Sequence, residues 1–279
     1  MKRKRWTRQA VPRRADRSAG TRPPSHRPGG LFFRALQEIK TRPPLPITRY
    51  DPQPVRSGVR RLLPPLLCLV LTAAAAEVDV LPDEGSIARV AERHGASAAA
   101  RLRQWRELVA QIHGLPEETR VERVNRFFNR IPSRTDLAHW GQNDYWASPL
   151  ELLVSNGGDC EDYALAKYFT LRAAGVPNDR LRVTYVRAWI ARENRMESHM
   201  VLAYYPFPDA DPLILDNLVA EVRPASERKD LTPTMSFNAE GLWSAKQRGQ
   251  SGRLGEVTRI GHWNDLVQRM RAQRSGVVR

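Results

Sequence analysis

The stretch "SNGGDCEDYALAKYF", residues 155–169, sets one cysteine among three carboxylates where a helix begins. Two glycines close the preceding segment and Asp159 is suited to cap a new helix. Ala164, Leu165, Tyr168, Phe169 and Leu171 then supply a buried stripe until "AAGVP" at 173–177 ends it. Cys160 therefore falls in the first turn. There the unpaired amide N–H groups and partial positive charge of a helix N-terminus lower a thiol's pKa, and the thiolate is the form that attacks a carbonyl. The same N–H groups can hold the oxyanion of a tetrahedral intermediate.

This cysteine stands out because the rest of the chain leaves it alone. The 279 residues carry a formal charge of +15, which taken whole points to a polyanionic partner. The charge is not spread evenly: residues 1–61 hold 17 Lys/Arg against Asp16, Glu38 and Asp51, while the remaining 218 residues have 28 basic and 27 acidic groups. The body is electrically ordinary, so no nucleic-acid partner is expected. Residues 1–59 are also rich in Pro, Gly and Ser and are read as a disordered or untranslated extension. Residues 60–76 have the pattern of a signal peptide: Arg60 and Arg61, an apolar run from Leu62 to Leu71, and an Ala-x-Ala site ending at Ala76. That run is too short to span a bilayer. Export to the periplasm and cleavage after Ala76 remove Cys68 and leave a domain at 77–279 with Cys160 as its one thiol, a candidate reactive group.

Within that domain, residues 97–114 place Leu102, Trp105, Leu108, Val109 and Ile112 at helical spacing, and a second helix opens at Pro116 with Val121, Val124, Phe127 and Phe128. "RTDLAHWGQNDYWA", 134–147, reads as a loop with aromatics. "SPLELLVSNGG" restarts a helix, with Ser148 and Glu151 as a capping box and Pro149 at its first position. After the Cys160 helix come alternating segments at 181–190 and 199–205 joined by polar residues, then a short strand at 212–218. Residues 221–255 read as long loops. Trp140, Trp146 and Trp243 are expected as core or loop anchors. The result is an α+β domain with a helix on an antiparallel sheet.

A thiolate needs an acid/base partner, and the partner needs an orienting group. His199 opens the strand "HMVLAYY", on one face with Val201, Ala203 and Tyr205. Asp216 lies in the next apolar segment, "LILDNL", an unusual place for an unpartnered carboxylate. A cysteine on a helix with His and Asp on consecutive strands makes a workable triad.

"GGDCEDYALAKYFTLRAAGVP", "SHMVLAYY" and "LILDN" together resemble the bacterial transglutaminase-like cysteine proteases, and most closely the LapG-type periplasmic proteases; "NDYWASPLELL" and "SFNAEGLW" also fit. The resemblance covers roughly residues 95–270. It implies a papain-like or transglutaminase-like core, with Cys160 as nucleophile, His199 as general base and acid, and Asp216 orienting the imidazole. It further implies a large surface adhesin as substrate, cut in its amino-terminal region so that a biofilm is released, and an inner-membrane cyclic di-GMP receptor whose periplasmic domain sequesters the protease.

The acids around Cys160 work against it. Carboxylates on both sides disfavour the thiolate, and a bound divalent cation would offset them. Hard carboxylate oxygens suit calcium, and zinc is poorly served because there is no second cysteine or close histidine pair. LapG-like enzymes are calcium-dependent, which by resemblance assigns Asp159 and Glu161 as ligands, Asp162 as a further candidate, and other ligands to neighbouring loops. Two rival readings share the residues: a transglutaminase-like acyl transferase, and a non-enzymatic binding module with a structural cysteine.

Overall fold

The computed structural model describes residues 80–244 and 252–274. The basic extension and the signal peptide expected from the sequence lie outside the described residues. Six helices lead into the sheet: α1 (Glu84–His94), α2 (Ala96–Ile112), α3 (Glu117–Phe128), α4 (Asp136–Trp140), α5 (Pro149–Ser155) and α6 (Cys160–Ala173). The strands are β1 (Leu181–Ile190), β2 (Arg195–Tyr204), β3 (Leu213–Leu215), β4 (Arg223–Pro224), β5 (Leu231–Asn238), β6 (Gly241–Ser244) and β7 (Arg253–Gly255), followed by α7 (Gly261–Arg274). They form one sheet in the order β4-β3-β2-β1-β5-β6-β7, paired antiparallel throughout. This is the α+β arrangement the sequence predicts.

The helix that carries Cys160 is more deeply enclosed than its apolar stripe indicates. Every residue from Asp162 to Leu171 on α6 is buried, so the helix has no solvent face in that stretch. It packs on β1 and β2 and against α3 and α5. From α2 the indole of the fully buried Trp105 donates to Thr170 Oγ1 at 2.8 Å, which satisfies a hydroxyl that the core would otherwise strand. The Ser148–Glu151 capping box forms, with Pro149 opening α5. Strand β2 alternates faces: Met200, Leu202 and Tyr204 enter the main core, while Val201 and Ala203 join Val186 and Ile214 in a smaller cluster that Tyr205 packs against.

Four stretches differ from the sequence expectation. The strand expected at 212–218 is confined to Leu213–Leu215, which leaves Asp216 just past its end. β2 starts at Arg195 rather than 199, because the hairpin with β1 continues to the Ile190–Arg195 pair beyond the core. Residues 134–147 contain the short helix α4. Residues 221–255, expected as loops, supply β4 to β7. The polar look of "LTPTMSFN" misleads there because its buried polar groups are satisfied by tertiary partners. Asn238 Nδ2 donates to the carbonyls of Asn178 and Leu181, and Pro233, which cannot donate to a ladder, sits beside the register shift opposite Val186. Trp146 and Trp243 are core residues, as expected.

Trp105→Phe keeps an aromatic ring but strands the Thr170 hydroxyl and leaves a void. A loss of about 1–3 kcal/mol is expected, read as a lower urea midpoint with the slope unchanged.

Candidate active site

Gly157 and Gly158 are needed for close approach rather than for conformation. A Cβ on Gly157 would lie 2.5 Å from Arg134 Cδ, and one on Gly158 would lie 2.5 Å from Asp162 Oδ2 and 2.7 Å from Leu152 Cδ1. The bare backbone lets Gly158 pair with Ser133 and accept from the Arg134 amide at 2.8 Å. The approach to Cys160 is thereby tied to the segment that runs into α4, and Asp136 at the start of α4 comes to lie beside Asp159.

Asp136, Asp159 and Glu161 each offer a carboxylate oxygen within 4.8 Å of the others. Asp136 Oδ2 accepts from the Tyr145 amide at 2.5 Å, while Asp136 Oδ1 and Asp159 Oδ1 are buried with no hydrogen-bond partner. Burial first, and then the neighbouring carboxylates, push Asp136 up to about 6 and Asp159 up to about 11. Buried acceptors without donors and crowded like charges are what a cation removes, and hard oxygen donors of this kind suit a divalent ion. Asp162, expected beside them, is turned to other partners. Its oxygens accept from the Ala147 amide at 2.6 Å and, at the start of α6, from the Asp159 amide at 3.3 Å, so its contribution is to fix the loop and the helix start.

Cys160 opens α6 and is half-buried. Its thiol hydrogen bond goes to Glu161 Oε2 at 2.6 Å. Burial raises the thiol pKa well above the ordinary range, Glu161 and Asp159 raise it further, and the Met200 amide on β2 works the other way. That amide places the sulfur beside β2, one residue along from His199.

His199 stands opposite Val186 in the β1–β2 register. Its Nε2 lies 2.8 Å from Asp216 Oδ1, with both side chains buried. Since a carboxylate can only accept, Nε2 carries the proton in this pair and Nδ1 is left free for a thiol. Asp216 also accepts from the Leu218 amide at 2.9 Å and from Arg228 Nη2 at 2.7 Å. Burial alone would raise the Asp216 pKa, but His199, the Leu218 amide and Arg228 outweigh it and hold the carboxyl well below its usual range. Arg228 is fixed in turn by Asp230, through Nε at 2.9 Å and Nη2 at 2.7 Å.

Asp136 and Arg228 are not singled out by the sequence. Asp136 lies 23 positions before Asp159, and the pairing of Ser133 and Arg134 with Gly158 brings it close. Arg228 stands in a charged stretch, "ERKD", with nothing to set it apart from exposed neighbours.

The profile of the bacterial transglutaminase-like cysteine proteinases (BTLCP) matches residues 104–243. The chain belongs to this family. Among solved structures it is similar to Legionella pneumophila LapG in its EGTA-treated form, at 42% identity over 68% of this chain and 98% of that one, with a TM-score of 0.59. It is similar also to the calcium-bound form of that LapG, at 42% identity over 67% and 98% of the two chains, with a TM-score of 0.57. No curated protein sequence matches the chain. The protein is thus a cysteine proteinase of the transglutaminase-like type, with the mixed helix and antiparallel sheet of LapG.

The crowded carboxylates fix the sign of a pH effect. Asp136 is raised from 3.8 to about 6, and Asp159 further, so between those pH values the folded chain holds protons that the unfolded chain has released. The contribution of these two groups to stability is therefore fully present below about 4 and is lost as pH rises, through about 6 for Asp136 and beyond it for Asp159. Asp216 is shifted downward and acts only below that window. In a chelating buffer the melting temperature is expected to drop from pH ~4 to ~6, the reverse of an ion-paired carboxylate, and Asp159→Asn should flatten the drop. A flat or rising profile for the unsubstituted protein would contradict the crowding.

Proposed function

We propose that the protein is a periplasmic, calcium-dependent cysteine endopeptidase that cuts the amino-terminal region of a large surface adhesin and so promotes release of a biofilm. In this reading an inner-membrane receptor for cyclic di-GMP holds it inactive through a periplasmic domain. The observation that carries the calcium-dependent protease reading is the position of Glu161, which accepts the thiol hydrogen bond of Cys160 and also belongs to the Asp136–Asp159–Glu161 group. Nucleophile and cation-binding acids share one side chain. The likeness to a calcium-bound LapG supports the choice of cation, and the signal-like segment at 60–76 supports export.

The chemistry assigns Cys160, His199 and Asp216 as a triad. His199 Nδ1 takes the thiol proton, and the thiolate forms a bond to the scissile carbonyl carbon. The carbonyl oxygen becomes an oxyanion, which the backbone N–H of Cys160 at the start of α6 is placed to receive. As the C–N bond breaks, His199 returns the proton to the leaving amine, leaving a thioester on Cys160. His199 then takes a proton from water, whose oxygen attacks the thioester carbon; the C–S bond breaks as His199 returns that proton to the sulfur, and the product acid leaves and gives its own proton to solvent. Asp216 keeps Nε2 protonated and balances the imidazolium; Arg228 and the Leu218 amide keep Asp216 ionised. Asp136, Asp159 and Glu161 would hold calcium, which when bound supplies positive charge that offsets the acids beside the nucleophile.

The test mixes the purified protein, unsubstituted or as Cys160→Ala, with the amino-terminal segment of a large adhesin from the same genome, in calcium or in EGTA. Cleavage is expected only with Cys160 and calcium together. Equal cleavage in EGTA would overturn the role of the cation. A folded, calcium-loaded protein with a reactive thiol and no cleavage would overturn the adhesin as substrate, and incorporation of a labelled amine under those conditions would turn the reading to acyl transfer.

A further inference from the structure

Lys167 lies on α6, two turns beyond Cys160, and is fully buried. Its Nζ has no hydrogen-bond partner among the described residues. The nearest ring is that of Tyr163, one turn back, with Nζ 5.7 Å from its centroid. An amine with three donors is costly to leave unpaired in a core, so the acceptors in its surroundings decide what it does.

Two contacts set α3 and α6 against each other. The Tyr163 hydroxyl donates to the Ile131 carbonyl just past the end of α3, and Arg120 Nη1 near the start of α3 donates to the Ala174 carbonyl just past the end of α6 at 2.9 Å. The helices are therefore antiparallel. Lys167, four residues on from Tyr163, comes level with the turn of α3 between Asn125 and Asn129. Both asparagines reach the segment that carries Asp216. Asn129 Nδ2 donates to the Asp216 carbonyl at 2.8 Å, and Asn125 Nδ2 donates to the Ala220 carbonyl at 2.9 Å. Their own side-chain oxygens, Asn125 Oδ1 and Asn129 Oδ1, are buried without a donor, and so is Asn217 Oδ1 in the same segment. An unpaired donor on α6 thus lies level with a turn of α3 whose two asparagines carry unpaired acceptors and hold the segment of Asp216. Burial draws the Lys167 pKa down to about 7, and the Asp216 charge opposes that shift, which places the amine within electrostatic reach of the carboxylate.

We infer that Lys167 is a positioning residue. Its donors reach the side-chain oxygens of Asn125, Asn129 and Asn217 across buried water, and hold segment 216–220 so that Asp216 stays in line with His199. The lysine touches neither substrate nor thiol; it acts through Asp216. The inference rests on reading Cys160, His199 and Asp216 as a triad.

The variant that tests it is Lys167→Met, which keeps the length of the side chain and removes the amine. A lysine held only for packing would, on replacement, change stability and nothing else. A positioning lysine also changes the reactivity of the thiol and the His199–Asp216 hydrogen bond, and its loss strands the asparagine oxygens it meets. The full-length protein in calcium buffer is followed by thermal melting, by the rate of Cys160 alkylation with iodoacetamide at neutral pH, and by the downfield proton resonance of His199 Nε2–H, identified by its loss in His199→Gln. The expected result is a lowered melting temperature, alkylation slowed at least about tenfold, and a resonance shifted or lost, the last two being readings that a lysine held only for packing would not move. Should Lys167→Met fail to fold, Lys167→Leu takes its place with the same expectations. Alkylation within about twofold of the unsubstituted rate, with the resonance unmoved, would overturn the inference. An unsubstituted protein whose thiol is no faster than free cysteine and which lacks the resonance would overturn the triad reading itself.

Discussion

A helix enclosed along its length can offer reactive groups only where it emerges, and the enclosure of α6 from Asp162 to Leu171 puts that constraint on this molecule. The emerging turn is Cys160–Glu161, and the local structure serves to fix it. The glycines at 157 and 158 let the chain run against Arg134, Asp162 and Leu152. Asp162 ties the turn to the Ala147 amide, and the bridge to Ser133 brings the start of α4 alongside. Because the rest of α6 is packed against β1, β2, α3 and α5, the position of Cys160 relative to β2 follows from the core and needs no contribution from a mobile loop.

The two ends of this arrangement have opposite electrostatics. Around Cys160, Glu161 and Asp159 add to burial in holding the thiol protonated. Around Asp216, His199 and Arg228 overcome burial and hold the carboxylate ionised. A thiolate–imidazolium pair draws on both regions: the imidazolium is favoured by Asp216, and the thiolate is opposed by the acids next to it. Positive charge placed among Asp136, Asp159 and Glu161 acts on the unfavourable half alone. This locates the cation requirement in the charge balance of the nucleophile's own turn and makes it separable from the orientation of the histidine.

Much of the site could be read from the sequence because its signals are local. A cysteine after a capping aspartate, a histidine in an alternating segment and an aspartate in the next apolar segment are patterns within a few residues each; the helix starts where its pattern puts it, while β2 begins four residues before His199 and β3 ends just before Asp216. What was illegible depended on tertiary approach. Asp136 becomes part of the acid group through a bridge between residues 25 positions apart, Ser133 and Gly158. Arg228 gains its role from a carboxylate twelve positions away, just past the end of β3. The strands at 223–255 were hidden for the same reason, since polar residues such as Asn238 look solvent-facing until the carbonyls of Asn178 and Leu181 are placed beside them. Local pattern gave the nucleophile and its helix; long-range pairing supplied the groups that tune them.

The aspartates also mark the limit of reasoning from residue type. Asp159 and Asp216 are both largely buried, and burial pushes both toward the neutral acid. Asp216 receives an imidazole, a backbone amide and a guanidinium, and goes down; Asp159 receives neighbouring carboxylates, and goes up. The sign of each shift is set by the donors that surround the oxygen, not by its depth. Glu161 is the side chain that joins the nucleophile to the acid group, because it accepts from the thiol while sitting among the acids. One carboxylate thus serves both the sulfur and the acid group, so charge placed on that group acts on the thiol through Glu161. The freedom of Cys160 to give its proton to His199 is therefore tied to where the neighbouring residue points.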